Sequence, residues 1–190
     1  MAYSRRQPRH HYTYQDYLQF EKESGSKHEF ENGEIHAMAG GTKRHNALAF
    51  RVGAALAEMQ GQCTGFQSDQ RIRVRNNVID RAFYPDVSVV CGGIESDGDD
   101  QDAIVNPTLI VEVMSPTTED YDRSDKWEAY QMIPSLKEYV LVTQQNPRIE
   151  RYRRNADGGW QYWDAHEGTI ELTTGAVLDI AALYRDLPEP

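Results

Sequence analysis

The segments Phe83-Tyr-Pro-Asp-Val-Ser-Val-Val90 and Thr108-Leu-Ile-Val-Glu-Val-Met114 decide the fold, because each sets one acid within a strongly β-forming apolar run. Side chains alternate between the two faces of a strand, so Glu112 lies on the face of Ile110 and Met114. Burying an isolated carboxylate is costly, and a partner, a raised pKa or a bound metal offsets that cost. The second segment therefore marks Glu112 as a candidate functional residue.

Asp86 stands in the first segment directly after Pro85, and alternation places it on one face with Tyr84 and Ser88. If the two strands are neighbours, the carboxylates of Asp86 and Glu112 point at one spot. Two like charges roughly 5 Å apart at an effective dielectric of about 20 repel by roughly 3 kcal/mol, and a cation between them removes this repulsion. The alternative is that a backbone or arginine partner satisfies each acid separately, and the strands alone favour neither arrangement.

The composition indicates a soluble globular protein. Of the 190 residues, 39% are hydrophobic and 26% are charged, and no apolar run reaches the about 20 residues of a membrane span. We expect a flexible N-terminal tail over residues 1–11 and a single domain over residues 12–190. Cys63 and Cys91 lack metal-type spacing, which predicts reduced thiols in a cytoplasmic protein that has no membrane partner.

The net charge of −10 argues against broad, nonspecific duplex binding, which needs many basic contacts to phosphates. The charge is nevertheless uneven, since Arg71, Arg73 and Arg75 alternate along a predicted strand. These arginines could contact phosphates, although a solvated sheet face is the commoner reason for such a pattern. Much of the acid lies in one loop, residues 95–102, which we expect to be solvated surface.

Helix and strand signals alternate along the chain. Thr13 and Asp16 predict a capped helix start, Asn32-Gly33 predicts the turn of an N-terminal β-hairpin, and Thr42 caps a predicted helix to about Gln60. The further predicted elements are a strand over 71–75, core strands near 83–91 and 108–114, a helix from 115 to about 132, a strand over 137–143, a hairpin flanking 155–159 and a closing helix near 181–184. This order predicts an α/β (α+β) fold, a mixed β-sheet flanked by helices.

Pro85-Asp86 and Glu112, with the two acids 26 residues apart, resemble the signature of the PD-(D/E)xK restriction-endonuclease-like superfamily. That signature continues with a lysine two residues after the glutamate, where this chain has Met114. The sequence that follows is similar to the Uma-two family of endonucleases in the same superfamily. The similar segments are Glu112-Val-Met-Ser-Pro-Thr-Thr118, Tyr121-Asp-Arg123, Lys126, Tyr130 and Pro134-Ser-Leu-Lys-Glu-Tyr-Val-Leu-Val142.

The resemblance to this family spans roughly residues 12–185, because the segment His28-Glu-Phe-Glu-Asn-Gly-Glu-Ile35, Met38 and His45 also match. In the family the lysine lies on the helix after the strand, and Lys126 matches that position. One departure is Thr143, where the family usually carries an aspartate. The resemblance implies a restriction-endonuclease-like core.

The same resemblance implies that Asp86 and Glu112 hold Mg²⁺ or Mn²⁺ while Lys126 serves the attacking water or the phosphate charge. Hard oxygen ligands suit these ions, which lower the pKa of a bound water and neutralise charge on a scissile phosphate. Lys126 could instead form a surface ion pair with Asp122 four residues earlier, a contact worth only a few tenths of a kcal/mol.

Further residues are candidates for the site on the strength of the family resemblance. Glu34 and His45 are the candidate supporting residues, and Glu29 ranks below them; a lone histidine is more often structural. Four aromatic residues suit base stacking or, more commonly, core packing: Tyr14, Tyr17, Trp127 and Tyr130.

Together these features predict a Mg²⁺- or Mn²⁺-dependent endonuclease that hydrolyses phosphodiester bonds of nucleic acid, with DNA as the favoured partner. The length leaves no room for a separate recognition domain, so a homodimer, a partner or nucleic-acid structure would supply specificity. One alternative is a noncatalytic module of the same fold that binds nucleic acid or protein, which the net charge of −10 favours. The other is a metal-dependent hydrolase of a different phosphorylated substrate.

Overall fold

The computed structural model describes residues 11–189, and the predicted tail, apart from His11, lies outside them. The helices are α1 (Tyr14–Glu23), α2 (Lys43–Leu56), α3 (Glu119–Tyr121), a π-helix (Asp122–Lys126), α4 (Trp127–Tyr130) and α5 (Ile180–Tyr184). The strands are β1 (His28–Glu31), β2 (Glu34–Ala37), β3 (Cys63–Gln67), β4 (Arg71–Arg75), β5 (Asp80–Phe83), β6 (Val87–Cys91), β7 (Ala103–Ile104), β8 (Leu109–Met114), β9 (Glu138–Thr143), β10 (Ile149–Arg154), β11 (Trp160–Ala165), β12 (Thr169–Glu171) and β13 (Val177–Asp179). None of the helices in this part of the chain is both long enough and apolar enough to cross a membrane.

Two sheets carry most of the strands. The larger has the order β11-β10-β9-β8-β6-β3, in which β8 and β9 run parallel and the other neighbours run antiparallel. The smaller has the order β2-β1-β5-β4-β7, so β1 lies between β2 and β5 while β2 forms an edge. The predicted mixed sheet, the flanking helices and the N-terminal hairpin β1–β2 are confirmed.

β8 lies inside the larger sheet and its two faces belong to different cores. Leu109, Val111 and Val113 pack with the buried residues of α2, whereas Ile110 and Met114 pack with those of α4. Strand alternation therefore turns the side chain of Glu112 toward the α3–α4 side, as the sequence predicts.

The predicted cap and turn of the N-terminal unit are both present. The Thr13 N–H donates to Asp16 Oδ2 at 2.8 Å, and the Asp16 N–H donates to Thr13 Oγ1 at 3.2 Å, which completes a capping box for α1. Asn32 and Gly33 have φ of 47° and 95° in the β1–β2 turn, a left-handed conformation that asparagine tolerates and glycine adopts readily. Local sequence thus specifies this hairpin.

The predicted continuous strand over 83–91 is wrong. β5 ends at Phe83 and β6 begins at Val87, and the two strands lie in different sheets. Pro85 stands at the break, where it cannot donate a ladder hydrogen bond. Asp86 therefore lies at a junction between the sheets, directly before β6.

The prediction of reduced thiols is also wrong, because Cys63 and Cys91 form a disulfide. The two residues stand directly opposite each other on the antiparallel strands β3 and β6, with Cα atoms 4.0 Å apart. Sequence spacing could not reveal this pairing, since it depends on the register of two strands that are distant along the chain. The predicted cytoplasmic location loses the support that it drew from free thiols.

The basic strand is not the solvated sheet face that its pattern favours, although Arg75 is exposed. The acidic loop over residues 95–102 is largely exposed, as the sequence predicts, apart from Asp97 and Asp100. Arg73 is 2% exposed, and its guanidinium carbon lies 3.5 Å from the ring centroid of Tyr14. Arg71 Nε donates to Asp100 Oδ2 at 2.7 Å, and the Tyr14 hydroxyl donates to the same oxygen at 2.8 Å. Asp100 is buried although it belongs to the acidic loop. Arg71 and Arg73 are consequently structural residues.

The four aromatic residues considered for base stacking take part in packing. Tyr14 and Tyr17 are buried with ring centroids 5.4 Å apart, and Tyr130 is fully buried. The ring of Trp127 stacks on that of Tyr152 with centroids 4.3 Å apart. Core packing, the commoner alternative, is therefore confirmed for this set.

Candidate active site

The carboxylates of Asp86 and Glu112 are tied to each other's backbone. The Val113 N–H donates to Asp86 Oδ2 at 2.7 Å, and the Asp86 N–H donates to Glu112 Oε2 at 3.4 Å. Antiparallel pairing of β6 with β8, in which Val87 faces Val111, brings the two acids into this register. The sequence prediction that the two acids converge thus holds, although Asp86 reaches the spot from a junction instead of a strand.

Glu112 is 3% exposed, and its two oxygens have different surroundings. Oε1 accepts hydrogen bonds from Lys126 Nζ at 3.1 Å and from the Tyr130 hydroxyl at 3.0 Å. Burial and the Glu112 charge raise the pKa of Tyr130, which keeps its hydroxyl a donor. Within residues 11–189, Oε2 has only the long contact to the Asp86 N–H, so it keeps acceptor capacity on the Asp86 side.

The π-helix places Lys126 and Asp122 together inside the protein. Lys126 Nζ lies 3.3 Å from Asp122 Oδ1, and both side chains are buried. Lys126 and Asp122 therefore form the ion pair that the sequence allowed, but the pair is buried and does not lie on the surface. Single π-turns within helices are often found at functional sites, because they redirect side chains by a fraction of a turn.

Glu29 on β1 also reaches the ammonium of Lys126, with Oε1 3.3 Å from Nζ. The Glu29 side chain is 9% exposed, whereas Glu34 on the edge strand β2 is 41% exposed and lies 3.7 Å from His36 Nε2. The structure thus brings Glu29, the lower-ranked of these two hairpin acids, into contact with Lys126, because β1 lies inside its sheet and β2 at the edge.

His45, in the first turn of α2, joins the site through Asp86. Its ring Nε2 lies 3.3 Å from Asp86 Oδ2, and its backbone N–H donates to Oγ1 of the N-cap residue Thr42 at 3.1 Å. A Cβ on Gly41 would fall 2.7 Å from His45 Nδ1, so only glycine allows this ring position. Burial lowers the pKa of His45, but the hydrogen bond to Asp86 and the Asp86 charge outweigh burial and the net shift is upward.

Negative charge exceeds positive charge in the site. Its members are the acids Glu29, Asp86, Glu112 and Asp122 and the bases Lys126 and His45. Burial raises the pKa of Glu112, and the charges of Asp122, Asp86 and Glu29 raise it further against the opposing effect of Lys126. A divalent cation would relieve this excess.

The donor set fits a hard divalent cation, because Asp86 and Glu112 offer carboxylate oxygens and Glu112 Oε2 keeps acceptor capacity. Within residues 11–189 no group of three or more His, Cys, Asp or Glu forms a ready-made metal cage. Two carboxylates completed by water and substrate phosphate are the usual arrangement for Mg²⁺.

Comparison with known proteins places the chain among related sequences. A sequence model of the Uma2 family, described as "Putative restriction endonuclease", matches residues 14–182. Two uncharacterized proteins of Synechocystis sp. are each 36% identical to the chain: slr1290 over 177 residues, or 91% of both chains, and sll1609 over 150 residues, or 78% of this chain and 84% of the relative.

A solved structure shares the fold. The crystal structure of "a putative nuclease belonging to DUF820" from Anabaena variabilis matches with a TM-score of 0.70 at 16% sequence identity, covering 90% of this chain and 96% of that chain. The likeness confirms the restriction-endonuclease-like fold that the sequence predicts. At this identity the likeness concerns the fold alone.

Proposed function

The chain belongs to the Uma2 (Uma-two) family, described as "Putative restriction endonuclease", and on this premise we propose that it is a metal-dependent nuclease that hydrolyses phosphodiester bonds, with DNA as the preferred substrate. The observation that carries the proposal is the meeting of Asp86, Glu112 and Lys126 at one buried spot, with hydrogen bonds that hold both acids.

Asp86 and Glu112 would hold one Mg²⁺ or Mn²⁺, which supplies a water of lowered pKa and neutralises charge on the scissile phosphate. The Val113 N–H fixes the Asp86 carboxylate, and the Tyr130 hydroxyl fixes the Glu112 carboxylate. His45 Nε2 contacts the same Asp86 oxygen as Val113, Oδ2, at 3.3 Å. These neighbours limit the rotation of both acids, so the ligand positions are set before substrate arrives.

Lys126 would act as a fixed positive charge. Burial lowers its pKa, but the charges of Glu112 and Glu29 outweigh burial and raise the pKa well above its usual range. An ammonium that stays protonated donates hydrogen bonds to a phosphate oxygen or to the attacking water, and it does not take up a proton. Loss of one such preorganised donor in other enzymes lowers kcat by roughly 10²–10³-fold.

The net charge of −10 predicts weak binding to nucleic acid, so low ionic strength, which screens the contacts with phosphates least, suits the assay. Purified protein with Mg²⁺ or Mn²⁺ at low ionic strength should cut DNA, and EDTA should stop the reaction. A panel of duplex DNA, single-stranded DNA and RNA identifies the preferred substrate, and sedimentation of the same sample tests the homodimer.

The control for contaminating nuclease is Asp86→Asn, which removes a site charge at nearly constant shape, beside Asp69→Asn, which changes an exposed acid. We expect loss of activity in the first variant and wild-type activity in the second. Equal cutting by wild type and Asp86→Asn would contradict the proposal. Absence of cutting on every nucleic acid, with binding retained, would favour the noncatalytic module, and cleavage of another phosphorylated substrate would favour the second alternative.

A further inference from the structure

Three carboxylates from three different elements converge on one ammonium. Lys126 Nζ lies 3.1 Å from Glu112 Oε1 on β8, 3.3 Å from Glu29 Oε1 on β1 and 3.3 Å from Asp122 Oδ1 on the π-helix. We propose that Glu29 and Asp122 are positioning residues that fix the Lys126 ammonium against the Glu112 carboxylate. The catalytic consequence of this positioning rests on the proposed nuclease function.

The geometry suits positioning, because the ammonium donates a hydrogen bond to Glu112 and forms ion pairs with Glu29 and Asp122. A lysine side chain has four rotatable bonds, and a single ion pair leaves its end free to move around the partner. Carboxylates on three separate elements define one place for the nitrogen. The side chains of Lys126, Glu29, Glu112 and Asp122 are 3–9% exposed, so bulk water does not replace these contacts.

The number of acids argues against a role in stability alone. One buried carboxylate is enough to neutralise the charge of Lys126, and each further buried acid adds desolvation cost and repulsion. Glu29 Oε1 forms no hydrogen bond in the described part of the chain, and its contact with Lys126 is an ion pair. A surplus of this kind is expected where placement of the cation matters more than stability.

Neighbouring residues border the two positioning acids. The Tyr121 hydroxyl donates to Glu31 Oε1 and lies 3.4 Å from Glu29 Oε2, so it stands between the two acids of β1. The Tyr139 hydroxyl donates to the carbonyl oxygen of Asp122 at 2.9 Å, which fixes the backbone of the π-helix. The N-terminal hairpin is thereby connected to the catalytic lysine.

The proposal separates lysine placement from metal binding. Glu29→Gln and Asp122→Asn keep the shape of each side chain while removing its charge, and Asp86 and Glu112 stay unchanged in both. We therefore expect a 10- to 100-fold lower kcat, with Mn²⁺ affinity within about threefold of wild type. Glu29→Asp, which keeps the charge on a shorter side chain, should recover part of the loss.

Lysine placement is measured by the rate at which acetic anhydride labels Lys126 in the metal-free protein over a range of pH, followed by mass spectrometry, because the pH profile separates the pKa of the amine from the rate constant of its neutral form. We expect that rate constant to be at least tenfold larger in Glu29→Gln and Asp122→Asn than in wild type. The matched controls are Glu21→Gln, a buried acid of the N-terminal unit paired with His28, and Asp120→Asn, an exposed acid of α3. Both controls should label at the wild-type rate, and thermal melts verify that each variant is folded.

The outcomes are distinct. Unchanged labelling in both folded variants overturns the positioning role whatever the activity, and so does an equal rise in the controls. A tenfold or larger loss of Mn²⁺ affinity in Glu29→Gln overturns it in favour of a metal ligand. If Glu29→Gln does not fold, Glu29→Asp and Asp122→Asn decide by the same labelling. Faster labelling in a protein that cuts no nucleic acid supports the positioning role and overturns only the nuclease function.

Discussion

Two clusters of charged residues differ in how their charges balance. The lysine cluster consists of Lys126, Glu29, Glu112 and Asp122, and the arginine cluster consists of Arg71, Arg73, Tyr14, Asp80 and Asp100. The lysine cluster sets three carboxylates around one ammonium, whereas the arginine cluster pairs each guanidinium with one carboxylate. Balanced pairs indicate a structural role, and a surplus of one sign indicates a functional site.

The hydrogen bonds of Asp100 and Glu112 differ in the same way. In the arginine cluster, Asp100 Oδ2 accepts from both Arg71 Nε and the Tyr14 hydroxyl, and Arg71 Nη1 donates to the Tyr84 hydroxyl at 2.6 Å. Within residues 11–189, Glu112 Oε2 in the lysine cluster has one long contact, so it keeps acceptor capacity for a cation. Glu29 Oε1 and, in the arginine cluster, Asp80 Oδ1 form ion pairs without a hydrogen bond in the same part of the chain.

The largest expected effect is the loss of activity in Glu112→Gln. Removing this ligand should lower nuclease activity by roughly 10³-fold, on the scale of other preorganised groups. Because the same change relieves repulsion among buried acids, the metal-free variant should unfold at the same temperature as wild type or above it. Activity assays and thermal melts in EDTA check both parts. A large fall in melting temperature would show that the lysine cluster, like the arginine cluster, serves stability.

The next effect is that of Lys126→Ala, which should lower activity by roughly 10²-fold. Metal affinity should persist or rise, because the variant removes a positive charge 3.1 Å from a metal ligand. Calorimetry with Mn²⁺ beside single-turnover cleavage measures the two quantities separately. Loss of both together would show that the lysine maintains the site and has no separate part in turnover.

The arginine cluster should respond in the opposite way, with Asp100→Asn changing stability and leaving activity within about threefold. Because a buried partner of Arg71 is lost, the free energy of unfolding should fall by about 1–3 kcal/mol at pH 7. Denaturant titration measures it, and an activity loss beyond tenfold would contradict the distinction between the clusters.

The loss of stability in Asp100→Asn should depend on pH. Burial raises the pKa of Asp100, but hydrogen bonds from Arg71 and Tyr14 outweigh burial and the net shift is downward. A carboxyl with a lowered folded-state pKa contributes stability above its unfolded pKa of about 3.9 and loses it as the pH falls through the folded value. The stability difference between wild type and Asp100→Asn should therefore shrink in this acid range. A difference that grows below pH 4 would contradict the sign of the shift.

The smallest effect concerns the position of His45. Gly41→Ala would place a Cβ 2.7 Å from the His45 ring, whereas Gly40 has open space around it. We expect activity to fall by about three- to tenfold in Gly41→Ala, since His45 holds Asp86 by one contact only. Gly40→Ala is the matched control and should cut like wild type. Equal activity of the two variants would show that the position of His45 does not affect catalysis.

Local patterns in the sequence predict the parts of the site that strands and turns determine. Alternation along β8 places Glu112 on the correct face, and the Asn32-Gly33 turn specifies the hairpin that carries Glu29. The family resemblance predicts Lys126 as a site residue. No local pattern does so, because a lysine four residues after an aspartate is ordinary on a helix surface.

What the sequence misses depends on contacts between distant segments. The burial of Glu29 follows from the place of β1 inside its sheet, and that of Asp122 follows from a π-turn that no local pattern indicates. The Cys63–Cys91 disulfide follows from the register of β3 against β6. Strand order and register are set by the whole fold, so pattern analysis of single segments does not reach them.

Mn²⁺ titration calorimetry on wild type, Glu112→Gln and Asp100→Asn tests most directly whether the surplus of carboxylates marks a cation site. We expect one Mn²⁺ per chain in wild type and in Asp100→Asn, with affinities within about threefold, because the arginine cluster is balanced. Affinity in Glu112→Gln should fall at least tenfold. Equal affinity in wild type and Glu112→Gln would contradict the central claim.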